Sequence, residues 1–232
     1  MNAVNPYSPT GGLSAAEASI AERATFLQRT YMLLLAGIFG FAFTLWAAGN
    51  IPAVRDMAVS LYRTSPWISL IVILGGSYVV HAVAERSPIN LIAYFAYVFL
   101  FGLLLAPVVL HVANVQPEVL TQAAMLTALV FTGLTGYVFV TRKDFSFLGG
   151  ALTIGLFAMI GIAIAGSLFE FTVGLWYSAV GVVLFSGFVL YDTSKILHRY
   201  PTTAYVSAAV VLFVDVVLLF MHILSLLMRR DD

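Results

Sequence analysis

Residues 204–228 read AYVSAAVVLFVDVVLLFMHILSLLM, and this stretch decides the fold class of the chain. It is long enough to cross a bilayer once, since a transmembrane helix takes about 20 predominantly apolar residues. Its one carboxylate, Asp215, lies near the middle. Because an ionisable group at bilayer depth is costly unless it is paired, protonated or hydrated, this aspartate marks a candidate functional site.

The composition of the whole chain indicates the same class. Of its 232 residues, 61% are hydrophobic and 9% are charged, whereas soluble domains carry about 25% charged residues. Lys plus Arg and Asp plus Glu each number 11, so the net charge is zero and indicates no nucleic-acid partner. Cysteine is absent, which excludes disulfides, thiol catalysis and Cys-based metal sites. The lipid bilayer is the expected partner.

Seven hydrophobic runs are long enough to span a bilayer, separated by short polar or proline-containing connections. They lie at about 28–48, 67–84, 89–111, 119–140, 147–168, 174–196 and 204–228. Because the backbone must satisfy its own hydrogen bonds inside lipid, these runs predict an all-α polytopic bundle of about seven transmembrane helices. Residues 25–232 form this single domain. Residues 1–24 hold little apolar surface and predict a disordered cytoplasmic arm that is dispensable for folding.

The distribution of basic residues predicts the orientation, because cytoplasmic loops carry an excess of Lys and Arg. With the N-terminus in the cytoplasm, the inside segments hold seven basic residues: Arg23, Arg29, Arg86, Arg142, Lys143, Lys195 and Arg199. The outside segments hold four: Arg55, Arg63, Arg229 and Arg230. We therefore expect a cytoplasmic N-terminus and an external C-terminus. A shorter, re-entrant last segment would instead place both termini inside.

A second membrane aspartate, Asp192 in VLYDTSKIL, lies on the span that precedes Asp215. The two spans are antiparallel neighbours, so their carboxyl groups could meet. Two carboxylates in contact at low dielectric cannot both stay ionised, and the pair would share one proton. Alternatively, each aspartate bonds separately. Asp192 has Thr193, Ser194 and Lys195 beside it, whereas Asp215 has only valines.

Chemistry other than proton or cation handling finds little support in the sequence. Asp192 and Asp215 could hold calcium weakly, because calcium prefers six to eight oxygen ligands and two carboxylates supply only part of that shell. The histidines lack the spacing of a tight metal site, and no nucleophile or phosphate-loop motif is present. We expect neither enzymatic activity nor a bound cofactor, with calcium as a possible transported ion.

Other ionisable residues could serve such a pair. Glu85 and Arg86 end the second span, and Lys195 follows Asp192 by three positions on the same helical face. Each is a possible latch or pore-mouth residue, although long basic side chains at span ends more often reach for the membrane interface. His222 lies two helical turns after Asp215 and could extend a polar path, or could simply bond a neighbouring backbone.

Three segments carry more specific patterns. The third span, AYFAYVFLFGLLLAPVV, contains a glycine followed by a proline, Gly102 and Pro107. The fourth carries A-x-x-x-T-A-L-V-F at 123–131 and leads into TRKDFSFLGGAL. The last two contain LYDT around Asp192 and LFVDVVLLF around Asp215. Over roughly residues 25–228, the chain resembles the bacterial branch of the transmembrane Bax inhibitor motif (Bax inhibitor-1) family.

The resemblance implies a bundle of seven helices with the last helix central. It implies a calcium-leak channel of the bacterial inner membrane whose paired aspartates, here Asp192 and Asp215, sense pH. Two alternatives are an integral regulator of a membrane-bound AAA protease and a proton-coupled cation antiporter. The family's protease regulator lacks the last-helix acid, so Asp215 favours the leak. The family's latch arginine aligns near Ala84, with Arg86 two residues later.

Overall fold

The computed structural model describes residues 14–64, 66–169 and 174–228. Within these ranges the chain forms eight α-helices and one short 3-10 turn at Ser146–Leu148. The helices are α1 (Ile20–Asn50), α2 (Pro52–Thr64), α3 (Pro66–Val83), α4 (Ile89–Val115), α5 (Pro117–Thr141), α6 (Gly149–Phe169), α7 (Leu175–His198) and α8 (Tyr205–Met228). The described residues contain no strand beyond one isolated bridge between Ser14 and Pro201. The predicted all-α class is confirmed.

Six of these helices are long and apolar enough to cross a membrane, namely α1 and α4 to α8. They correspond to six of the seven predicted spans. The remaining predicted span coincides with α3, which has 18 residues. Large apolar side chains such as Phe39 on α1 and Phe157 on α6 are exposed, as expected for surfaces that face lipid tails.

Helix α1 begins earlier than hydrophobicity predicts, because a capping box starts it. The Ser19 hydroxyl accepts from the Glu22 amide, and the Glu22 carboxylate accepts from the Ser19 amide. These bonds satisfy two of the backbone groups that every helix N-terminus leaves open. The predicted start at residue 28 is therefore about two turns too late.

The predicted arm also differs from a disordered segment where the structure describes it. The Ala15 side chain is fully buried, and its amide donates to the Tyr200 carbonyl at 2.8 Å. The Arg23 guanidinium donates to the carbonyls of Ala15 and Ala16. Residues 14–24 are thus tied to the loop before α8, and dispensability is no longer expected for them. Residues 1–13 lie outside the described residues.

Helix α2 was not predicted. Asn50-Ile51-Pro52 ends α1, but Pro52 also begins α2, because proline's fixed φ and missing amide suit the first helical position. Arg55 of α2 reaches back and donates to the carbonyls of Ala48 and Gly49, which satisfies the open C-terminus of α1.

The contacts divide the chain into two compact units. The first runs through Ala106 and includes Lys195–Phe213; the second comprises Pro107–Ser194 and the chain from Val214 onward. The core of the first unit is aromatic. Phe213 of α8 is fully buried and meets Phe41, Tyr94, Tyr97 and Phe101 edge to face, with ring centroids 5.7 to 6.3 Å apart.

Tyrosine hydroxyls fix this aromatic core to the surrounding helices. Tyr94 donates to the Leu33 carbonyl of α1 at 3.1 Å, and Tyr97 donates to the Ile73 carbonyl of α3 at 2.9 Å. A Cβ at Gly37 would overlap the Tyr94 hydroxyl. A glycine is therefore required where Tyr94 crosses α1.

Glycines also set the packing of the second unit. A Cβ at Gly155 of α6 would lie 2.8 Å from a Leu184 methyl of α7, and a Cβ at Gly187 of α7 would lie 2.6 Å from a Leu152 methyl of α6. The two helices approach closely through these reciprocal contacts, as small residues allow in membrane bundles. Helix α7 thereby has a firm support along one face.

Candidate functional site

Both candidate aspartates are buried in the second unit, on adjacent helices. Asp192 of α7 is 7% exposed and Asp215 of α8 is 5% exposed. Their carboxyl groups face each other within hydrogen-bonding reach. Of the two arrangements that the sequence allowed, the structure therefore has the paired one.

A hydrogen bond between two carboxyl groups requires a proton on one of them, because an ionised carboxylate can only accept. The second Asp215 oxygen, Oδ2, is buried and has no hydrogen-bond partner within the described residues. The hydroxyl of Thr193, the residue after Asp192, is also buried without a hydrogen-bond partner within the described residues. Buried polar atoms are nearly always partnered in folded proteins, so the acidic pair has hydrogen-bonding capacity that the described residues leave unused.

Ser194 holds the α7 segment that carries Asp192. Its hydroxyl accepts from the Phe145 amide at 2.9 Å and donates to the Lys143 carbonyl at 3.2 Å. Both partners belong to the connection between α5 and α6, which starts at Arg142 in the left-handed conformation with φ 52°. These two hydrogen bonds hold the α5–α6 connection against α7, only two residues from Asp192. Sequence reasoning noted Ser194 only as a possible partner of Asp192.

Tyr191, directly before Asp192, gives a second support. A Cβ at Gly149, the first residue of α6, would lie 2.9 Å from the Tyr191 ring. Glycine at the start of α6 therefore lets that ring pack on the helix backbone. The GG pair in TRKDFSFLGGAL is the sequence signal for this contact, since only a missing side chain permits such an approach.

The other predicted site residues are distributed over the two units. Glu85 and Arg86 are exposed in the first unit, in the connection between α3 and α4. The Lys195 ammonium lies 5.9 Å from the Tyr200 ring centroid, in cation–π range. Their proposed roles as latch or pore mouth stay predictions. His222 belongs to the second unit with the aspartates, and its ring stacks on Phe185.

The acidic pair is a poor resident metal site. Across residues 14–64, 66–169 and 174–228, no three His, Asp or Glu side chains lie close enough together to hold a metal ion. Two carboxylates alone would bind a divalent cation loosely.

Comparison with known proteins relates most of the chain to one family. A sequence profile described as inhibitor of apoptosis-promoting Bax1 matches residues 23–232. The chain is 32% identical to a Golgi anti-apoptotic protein of vaccinia virus, over 93% of this chain and 90% of the viral protein. It is 30% identical to mouse protein lifeguard 4, with the same two coverages.

Bacterial relatives are equally similar. An uncharacterized protein of Campylobacter jejuni is 32% identical over 89% of each chain. An uncharacterized membrane protein of Vibrio cholerae is 35% identical over 78% of this chain and 84% of the relative. These similarities cover most of the chain, so they concern the multi-pass membrane domain and not a short shared fragment.

Proposed function

The chain belongs to the Bax inhibitor-1 family, and on this premise we propose that it is a pH-sensitive cation leak. Calcium is the proposed cargo, the bacterial inner membrane is the proposed location, and the N-terminus faces the cytoplasm. Asp192 and Asp215 form the proton sensor and gate. The observation that carries this proposal is the burial of these two carboxyl groups within hydrogen-bonding reach of each other.

The shared proton controls the charge between α7 and α8. With the proton in place, the pair carries one negative charge and its hydrogen bond joins the two helices. When the proton leaves, two like charges remain in contact. At a separation of 4 Å and an effective dielectric constant of 20, they repel by about 4 kcal/mol. Moving a two-state gate from about 1% to 99% takes about 5.5 kcal/mol, so one proton supplies most of that difference.

A cation can take the place of the proton, because it also relieves the repulsion. Asp215 lies near the middle of α8. Its Oδ2, which has no hydrogen-bond partner within the described residues, gives an entering ion a first ligand. Calcium held by two carboxylates and a few waters is bound weakly. Weak binding suits a leak, since a site that binds too tightly retains its ion.

Calcium flux into proteoliposomes at several pH values tests the proposal. The wild type should conduct at a rate that changes between about pH 6 and pH 8, since a shared-proton pair can titrate there. Asp215→Asn and Asp192→Asn should each remove the pH dependence, and the double variant should add little, because the two residues act as one unit. Asp56→Asn, at an exposed position of α2, is the matched control and should behave as wild type.

Other outcomes separate the alternatives. Calcium accumulation against its gradient, driven by an imposed pH difference, would indicate an antiporter, since a leak conducts only downhill. No flux from folded wild-type protein at any pH would refute the leak and favour the regulator of a membrane-bound protease.

A further inference from the structure

Beyond the aspartates, α7 and α8 continue side by side, and their facing residues follow a regular order. Asp192 meets Asp215, Phe185 meets His222, and Ser178 meets Ser225. From one pair to the next, the residue number decreases on α7 and increases on α8, so the two helices are antiparallel. Seven residues separate the first two levels, which is roughly 10 Å at 1.5 Å per residue. A path that starts at the acidic pair and follows these helices must pass the level of His222.

His222 occupies a seat that three residues of α7 build. Gly181 lies beneath the imidazole, and a Cβ there would overlap the ring. Phe185 stacks on the imidazole with centroids 5.3 Å apart and planes at 18°. The Tyr177 ring lies 5.6 Å away at 53°. The Tyr177 hydroxyl donates to the Met159 carbonyl of α6 at 3.3 Å, which holds that ring in place.

We propose that His222, seated on Gly181 between Phe185 and Tyr177, is a second gate that closes the path on the Ser178–Ser225 side. This inference rests on the proposed cation leak. The sequence suggested instead that His222 could extend a polar path that ions follow. Aromatic rings offer no oxygen ligands to a hydrated cation, which needs oxygen or water at every depth. The seated ring is therefore an obstacle, and ions pass only when it leaves the seat.

The level beyond the ring is closed to ions in the same state. The hydroxyls of Ser178 and Ser225 bond to each other at 2.8 Å. A pair of hydroxyls that is occupied in this way has to separate before either oxygen can face a passing cation. The seated histidine and the serine pair thus close adjacent levels of one helix–helix seam.

Four variants test the gate by calcium flux in proteoliposomes. His222→Ala empties the seat, and Gly181→Ala displaces the ring from it, so both should raise the flux several-fold. His222→Phe keeps a ring in the seat and should stay near wild type. Gly161→Ala is the control: it adds the same methyl group to the neighbouring helix α6, where a Cβ would meet no atom within 4 Å. A flux that stays unchanged or falls in His222→Ala overturns the gate.

A second measurement does not depend on calcium transport. Because the chain has no cysteine, Leu219→Cys introduces a single thiol on α8 between the acidic pair and His222. A charged, membrane-impermeant thiol reagent added on the Ser225 side should label Leu219→Cys rapidly when it is combined with His222→Ala or Gly181→Ala. Labelling should stay slow with His222 intact or with Gly161→Ala.

The two measurements distinguish a failure of the proposed gate from a failure of the proposed calcium leak. Labelling that depends on His222, in a protein that conducts no calcium in any variant, would overturn the calcium leak but support a gated water path. Calcium flux in the wild type together with labelling that ignores His222 would overturn the gate and leave the leak. Thermal unfolding in detergent is measured for each variant, so that only folded proteins are compared with the wild type.

Discussion

At the scale of single residues, two neighbours of the acidic pair have opposite roles although both are buried. The Ser194 hydroxyl makes two hydrogen bonds to the α5–α6 connection. The Thr193 hydroxyl has no partner within the described residues. A buried hydroxyl that bonds two backbone groups stabilises the fold, whereas an unpartnered one costs free energy.

Substitution of each residue should therefore give contrasting results. Ser194→Ala leaves the Phe145 amide and the Lys143 carbonyl without this partner and should lower the free energy of unfolding by about 1–3 kcal/mol. Thr193→Val keeps the volume and removes only the unpartnered hydroxyl, so it should be neutral or stabilising. Thermal unfolding in detergent measures both. Equal losses in the two variants would contradict the hydrogen-bonding account of Ser194.

Proton and calcium should compete for the acidic pair, because calcium needs both Asp192 and Asp215 ionised. The apparent calcium affinity should then fall by up to about tenfold for each pH unit below the pH at which the shared proton dissociates. Calcium-induced stabilisation of the wild type should be larger at pH 8 than at pH 6. Asp215→Asn should lose this difference. A stabilisation that does not change with pH would place calcium elsewhere.

The sequence predicted the acidic pair because carboxylates inside apolar spans are rare. Asp215 is flanked by valines, and Asp192 is part of the LYDT pattern near the end of an apolar span. The seat of His222 could not be predicted in the same way. Gly181 and Phe185 are ordinary residues of a membrane helix, and they become meaningful only once the register between α7 and α8 is known.

At the scale of elements, the start of the chain shows what hydrophobicity misses. The S-x-x-E pattern at Ser19–Glu22 is a recognisable capping box. It could have identified the start of α1, but it lies outside the apolar run that defined the span. Helix α2 was not predicted for a related reason: only apolar runs defined the spans, although proline, here Pro52, favours the first turn of a helix.

The docking of the segment before α1 gives a prediction at this scale. Ala15 is fully buried whereas Ala16 is exposed. Ala15→Trp should therefore destabilise the protein by about 1–3 kcal/mol, as overpacking does in a well-packed site. Ala16→Trp adds the same side chain to solvent and should change little. Thermal unfolding compares the two. Identical unfolding temperatures would show that the contact of Ala15 with the loop before α8 contributes nothing to stability.

At the scale of the whole molecule, hydropathy identified the helices but not how they group. The division into two compact units crosses α7 after Ser194 and α8 after Phe213. Both helices are continuous apolar runs in the sequence, and nothing in their composition marks these points. Grouping depends on which side chains meet, as the cluster around Phe213 and the glycine contacts of α6 and α7 illustrate.

The number of crossings, and with it the side of each terminus, now depends on α3. Helix α8 has 24 residues and is long enough to cross, so a re-entrant last segment is not expected. Helix α3 has 18 residues, or roughly 27 Å at 1.5 Å per residue. That is just short of a hydrocarbon core of about 30 Å, so α3 can cross if it stands nearly upright. Seven crossings place the termini on opposite sides, and six place them on the same side.

We expect α3 to cross, with the N-terminus inside and the C-terminus outside, because seven of the eleven basic residues then lie inside. Single cysteines at two exposed positions that flank α3 test this directly. An impermeant thiol reagent should label Asp56→Cys in intact cells and Arg86→Cys only after permeabilisation. Reporter fusions at residues 2 and 232 should likewise give opposite signals. If both cysteines label from the same side, α3 does not cross, and the chain has six spans with its termini together.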